Sequence, residues 1–148
     1  MGITVTRHLT RDQVVREIRC LEKYERVPDK ALRTKRISEV EIERWRSLLH
    51  ALEAYEEGEG IDVTVEERFH SIRPLRKVLT DRRMRVLEQI GLGVGSITEL
   101  AKRAGPRDIK NVYDDLQILK KFGFVTLERD GRRVVPRLLL SSVRLDFR

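Results

Sequence analysis

Residues 96 to 136 read SITELAKRAGPRDIKNVYDDLQILKKFGFVTLERDGRRVVP. Ser96-Ile97-Thr98-Glu99 has capping-box spacing, in which a hydroxyl and a carboxylate satisfy backbone N–H groups at the start of a helix. Leu100, Ala101 and Ala104 then fall on one face, and the small alanines let another helix approach closely. Gly105-Pro106 ends that helix and turns the chain into a longer one, Arg107 to about Phe122. Its apolar residues Ile109, Val112, Leu116 and Leu119 form a single stripe. The segment VTLERDGRRVVP reads as two alternating strands joined by Asp130-Gly131, a favoured pair for a two-residue type I′ turn.

Working backwards, Thr80 is placed to cap a helix that carries Met84, Leu87 and Ile90 and stops in the glycine-rich GLGVG. Helix, helix, turn, longer helix and hairpin within one short segment predict a winged helix-turn-helix. In that arrangement the first turns of the third helix enter the DNA major groove. The side chains predicted to point away from its apolar stripe are Arg107, Lys110, Asn111 and Asp114, with Gln117 and Lys121 further along.

Those residue types suit base edges. An Asn amide matches the N7 and N6 edge of adenine, Arg and Lys suit guanine or phosphate, and Asp114 can accept from cytosine N4 or repel a badly registered duplex. Asn111 is the single asparagine of the chain. Arg129, Arg132 and Arg133 surround the hairpin tip, where they are expected to meet phosphates or enter a narrow minor groove. Of Arg82, Arg83 and Arg85 on the first helix, at least one is expected to pair with a carboxylate of the bundle, and Asp115 is expected to be a structural partner for a basic side chain.

The charge distribution agrees with a polyanionic partner. The chain of 148 residues has a net charge of +7. Residues 1–79 hold 16 basic and 15 acidic side chains, whereas residues 80–148 hold 15 and 9, so the excess lies in the second half. The one cysteine, Cys20, excludes an intrachain disulfide, and no apolar run reaches membrane-span length, so a cytoplasmic location without membrane association is expected. One Asn and three Gln beside abundant Arg and Glu are reminiscent of thermophile composition.

The N-terminal half alternates between the two periodicities. ITVTR, residues 3 to 7, suggests a short strand. Thr10 caps a helix reaching about Arg26, with Val14, Ile18 and Leu21 on one face and Pro28 beyond it. A basic connector, residues 29–36, leads to a helix from Ser38 to Glu57 whose expected stripe is Ile42, Trp45, Leu49 and Leu52, finishing in Gly58 and Gly60. IDVTVEERF is expected to be a strand, with Ile61, Val63 and Val65 on one side, and residues 68–79 a connector. The final SVRLDFR alternates and is suited to pair with an N-terminal strand.

The expected fold is therefore α+β, mostly α: an N-terminal helical and strand extension, residues 1–68, for dimerisation or partner binding, and a winged helix-turn-helix DNA-binding domain, residues 69–148. No catalytic, cofactor or metal site is expected. GLGVGS follows a helix and lacks the lysine of a phosphate-binding loop. His8, His50 and His70 are dispersed, without metal-ligand spacing. Glu53, Glu56, Glu57, Glu59, Asp62, Glu66 and Glu67 are expected to form a solvated acidic face, and Trp45 a core or interface anchor.

The runs LTDRRMRVLEQI, SITELAKRAG and NVYDDLQILKKFGFV resemble the archaeal and bacterial winged-helix regulators of the MarR-like type, over about residues 69 to 148. They are similar above all to small members whose segments read LT-x-x-R, S-x-x-E-L-A, N-V-x-x-D-x-x-x-L and G-hydrophobic-V/I. The resemblance aligns Asn111, Val112, Asp115 and Leu119 with the recognition helix, Gly123 with the turn into the wing and Arg83 with a first-helix arginine. It implies a transcriptional regulator, expected here as a homodimeric repressor on double-stranded DNA. LEKYERVPDK and VEIERWRSLLHALEAYEEG resemble the extension of members that act as antitoxins, which implies a toxin-binding alternative. A winged-helix protein-interaction module is the other alternative.

Overall fold

The computed structural model describes residues 1–23, 38–57, 62–104 and 109–148. By internal contacts the chain divides into two compact units, Met1–His70 with Ser141–Arg148, and Ser71–Leu140. Both combine helices with small sheets, so the fold is α+β. The connector 29–36, the Gly58 and Gly60 stop, Ile61 and the Gly105-Pro106 break lie outside the described residues.

In the first unit, β1 (Gly2–Thr10) pairs antiparallel with β2 (Asp62–Phe69), with Val5 opposite Glu67 and Arg7 opposite Val65. β5 (Leu140–Asp146) lies on the other side of β1, giving the strand order β2-β1-β5. The C-terminal alternation thus closes onto the N-terminal sheet, and residues 141–148 belong to this unit.

α1 (Arg11–Glu22) begins at a capping box in which Thr10 Oγ1 accepts from the Gln13 N–H and Gln13 Oε1 from the Thr10 N–H. It ends at Glu22, with Lys23 as its C-cap, short of the expected Arg26. α2 (Glu39–Glu57) starts the same way, with Ser38 Oγ accepting from the Glu41 N–H at 3.2 Å and Glu41 Oε1 from the Ser38 N–H at 3.3 Å. Its buried stripe is Ile42, Trp45, Leu48 and Ala51. Leu49, expected inside, is 38% exposed, because the buried row advances by three-residue steps, each drifting about 60° around the helix and away from Leu49. Trp45 is core, at 1% exposure.

The alternation of β1 puts Ile3, Val5, Arg7 and Leu9 on its inner face, and that of β2 puts Val65, Glu67 and Phe69 there. Arg7 and Glu67 are therefore fully buried, and Glu67 leaves the expected acidic face. Arg7 donates through Nε to Glu67 Oε1 at 2.9 Å and through Nη1 to Glu17 Oε1 at 2.8 Å. Arg44 Nε meets both Glu67 oxygens at 3.1 Å. Burial opposes the charge on Arg7, but Glu67 and Glu17 outweigh it and raise its pKa above the usual arginine value. Two cations and two carboxylates balance, which is the condition for keeping such groups inside.

The second unit opens with α3 (Arg73–Val78), a short helix in the segment expected to be a connector; Pro74 sits in its first turn, where the missing N–H costs nothing. α4 (Asp81–Gly91) is capped by Thr80, whose Oγ1 accepts from the Arg83 N–H. Val86, Leu87 and Ile90 are its buried residues. Met84, expected inside, is 52% exposed, since the face centred on Leu87 and Ile90 takes in Val86 and Arg83 instead.

α5 (Ile97–Ala104) starts at Ser96, whose Oγ accepts from the Glu99 N–H at 3.1 Å. The Glu99 carboxylate accepts from the Gly95 N–H, one residue before the position a regular capping box uses. Leu100 and Ala101 are buried. α6 (Ile109–Phe122) is followed by the antiparallel hairpin of β3 (Val125–Asp130) and β4 (Arg133–Leu138).

Candidate nucleic-acid interface

The placement of α6 follows from what it buries. Val112, Asp115, Leu116 and Leu119 lie at or below 3% exposure. A carboxylate in that row requires cations, and α4 supplies two. Arg82 donates to Asp115 through Nε at 2.7 Å and Nη2 at 2.9 Å, a bidentate fork, and Arg83 Nε adds a third bond at 3.2 Å. The hydrogen bonds and charge of Asp115 raise the Arg82 pKa. Arg83 Nη1 also donates to the carbonyls of Lys77 and Val78, tying α3 and α4 to α6. Arg82 and Arg83 are thus the structural arginines, and Asp115 is their partner.

The C-terminus of α6 is equally determined. Gly123 has φ +88°; its N–H donates to Lys120 C=O at 3.0 Å, and the Phe124 N–H to Leu119 C=O at 2.9 Å. These are the two bonds of a Schellman cap, which needs a left-handed residue at the glycine. Phe124, fully buried, meets the Phe122 ring edge-on at 4.9 Å and anchors the start of β3.

With the buried side of α6 set by those contacts, Lys110, Asp114 and Lys121 project from the other side and are exposed. Gln117 lies among them, half-buried. Tyr113, at 47% exposure, joins the same row at three-and-four spacing, although its ring is neither a charged group nor an amide of the kind that marks the row in sequence. Asn111 is on the flank: it is half-buried and already interacts within the protein. About 100° per residue separates it from Lys110, enough to move it from the centre of the outward face to its border. Arg107 and the side chain of Ile109 lie outside the described residues.

The hairpin differs from its sequence reading in register. Asp130 pairs with Arg133, so the two-residue loop is Gly131-Arg132, not Asp130-Gly131. Gly131 has φ +63°, and a positive φ at the first loop residue is common to the type I′ and II′ turns that close two-residue hairpins. The shift matters for the arginines. All three are exposed, with Arg132 at the tip, but Arg129 opposes Val134 while Arg133 opposes Asp130. Arg129 and Arg133 therefore occupy opposite faces of the ribbon, one on each side of the tip.

Among the described residues, no group of three or more His, Cys, Asp and Glu is placed to hold a metal ion, and no helix is long and apolar enough to cross a membrane. Residues 78–145 match a protein family described as HVO_A0114. Neither the curated proteins nor the solved structures contain a match to the chain.

Proposed function

We propose that residues 71–140 form a winged helix-turn-helix of the MarR-like type, and that the chain is a sequence-specific regulator that binds double-stranded DNA as a homodimer. α6 is its recognition helix and the β3–β4 hairpin its wing. The observation that carries the reading is that one side of α6 is locked to α4 through Asp115 while the opposite side offers Lys110, Asp114 and Lys121 to solvent, with Gln117 half-buried among them. A rigid helix with an outward polar row is what base-edge readout in a major groove requires.

The arginines on both faces and the tip of the hairpin suit phosphates flanking a groove, and the excess positive charge of residues 80–148 supports the same partner. Lys110 and Gln117 are the central base-reading candidates, with Asn111 at the border of the contact. Tyr113 adds an amphipathic ring able to pack on sugar or thymine methyl.

Titration of random-sequence duplex at two salt concentrations tests the reading. Binding that weakens steeply with salt is expected, because phosphate neutralisation releases counterions. Absence of binding at low salt would leave a protein-docking role for the same surface.

A further inference from the structure

β5 ends the three-stranded sheet: β1 lies on one side of it, and among the described residues no strand lies on the other. Its outer edge therefore offers backbone N–H and C=O groups to another strand. By the two-residue alternation, Val143 and Leu145, continued by Phe147 just past the strand, share one side, and Ser142, Arg144 and Asp146 the other. Val143, Leu145 and Phe147 are 37%, 41% and 74% exposed. Arg144 Nε meets Asp146 Oδ2 at 3.0 Å, both well exposed. Charges can protect a sheet edge from pairing, but an open apolar row beside that edge favours it.

We infer that the outer edge of β5 pairs antiparallel with the β5 edge of a second copy of this chain, about a two-fold axis at Leu145. The pattern of residues selects this register. With Leu145 opposite the partner's Leu145, Arg144 faces the partner's Asp146 and Asp146 faces the partner's Arg144. Val143 and Phe147 face each other in the same way, so both rows are self-complementary. Centring the pair on Arg144 or on Asp146 sets two like charges together, and an odd offset sets apolar side chains against charged ones. The two sheets then join into one of six strands, which removes both β5 edges.

The inference rests on the proposed dimer only in requiring a second copy, and it is tested without DNA. Sedimentation equilibrium of the full chain is expected to show a monomer–dimer equilibrium. Arg144→Asp and Asp146→Arg each create two like-charge oppositions and are expected to weaken the dimer by about tenfold. The double variant Arg144→Asp/Asp146→Arg restores opposite charges and is expected to recover the original affinity. In a Cys20→Ser background, Leu145→Cys is expected to oxidise to a covalent dimer. Val143→Cys is not, because it lies roughly 13 Å from its counterpart, beyond disulfide reach.

A chain that stays monomeric, a dimer indifferent to both single reversals, or cross-linking through Val143→Cys instead of Leu145→Cys would overturn the assignment. A β5 dimer that fails to bind duplex would leave this inference standing and remove only the DNA reading.

Discussion

The Arg82 guanidinium holds the buried Asp115 carboxylate by two hydrogen bonds, of 2.7 and 2.9 Å, and so clamps α4 to the inner side of α6. Asp115 neighbours the exposed Asp114 in sequence but serves the opposite purpose: one fixes the helix, the other faces outward. Asp115→Ala leaves the largely buried Arg83 without its carboxylate, and a loss of about 2–4 kcal/mol of stability is expected. Arg82→Ala is expected to be milder, since Arg83 still meets the carboxylate. Urea unfolding followed by circular dichroism measures both, and an Asp115→Ala variant as stable as the parent would contradict the clamp.

The Arg7–Glu67 pair makes a parallel case in the first unit. Glu67→Ala removes a carboxylate shared by Arg7 and Arg44 and leaves a fully buried guanidinium with Glu17. A cost of about 3–5 kcal/mol follows from an uncompensated buried charge. Trp45, the only tryptophan and itself in that core, reports the transition by fluorescence. A shift no larger than that of an exposed Glu66→Ala control would show that the network is not stabilising.

Gly131 connects turn geometry to the proposed wing. An added Cβ meets no atom within 4 Å, so the penalty of Gly131→Ala comes from its positive φ alone, about 1–2 kcal/mol. Because Asn tolerates this region better, Gly131→Asn is expected to cost less. Thermal melts of the two variants should differ in that order; equal melting points would mean that the hairpin has changed its turn.

Arg132→Ala is expected to weaken binding to every duplex similarly and to flatten the salt dependence by about one unit of slope, the signature of a lost phosphate contact. A change confined to A-tract sites would instead indicate reading of minor-groove width. Lys110→Ala and Gln117→Ala should alter preference at individual base pairs, and Asn111→Ala should do so less, because Asn111 is half-buried at the border of the outward face.

Much of this architecture is legible from local chemistry. Thr10, Ser38, Thr80 and Ser96 each stand at the start of a helix because a hydroxyl there satisfies an otherwise unpaired N–H. The alternation of SVRLDFR anticipates β5 beside β1. The departures have physical causes as well. Arg7 and Glu67 are inward by strand parity, yet charge alone suggests solvent; their meeting across paired strands far apart in sequence, with Glu17 and Arg44 beside them, permits burial. Leu48 replaces Leu49 in the core, one helical step of about 100° away, and Val86 replaces Met84, two such steps away on the opposite side of the helix. The hairpin register depends on which residue takes positive φ, and Asp130-Gly131 and Gly131-Arg132 are both acceptable turn pairs. Asn111 draws notice through its rarity, whereas its half-buried position depends on packing that composition does not encode.

The central claim is that the outward side of α6 reads duplex sequence. The most direct test is to enrich a duplex from a random pool and to titrate it and a scrambled control with the parent chain and with Lys110→Ala/Gln117→Ala. The enriched duplex is expected to bind at least about a thousandfold more tightly than the control. The double variant is expected to lose most of that preference while keeping its affinity for the control within about tenfold. Equal affinity of the parent for both duplexes, or a preference that survives in the double variant, would contradict the claim.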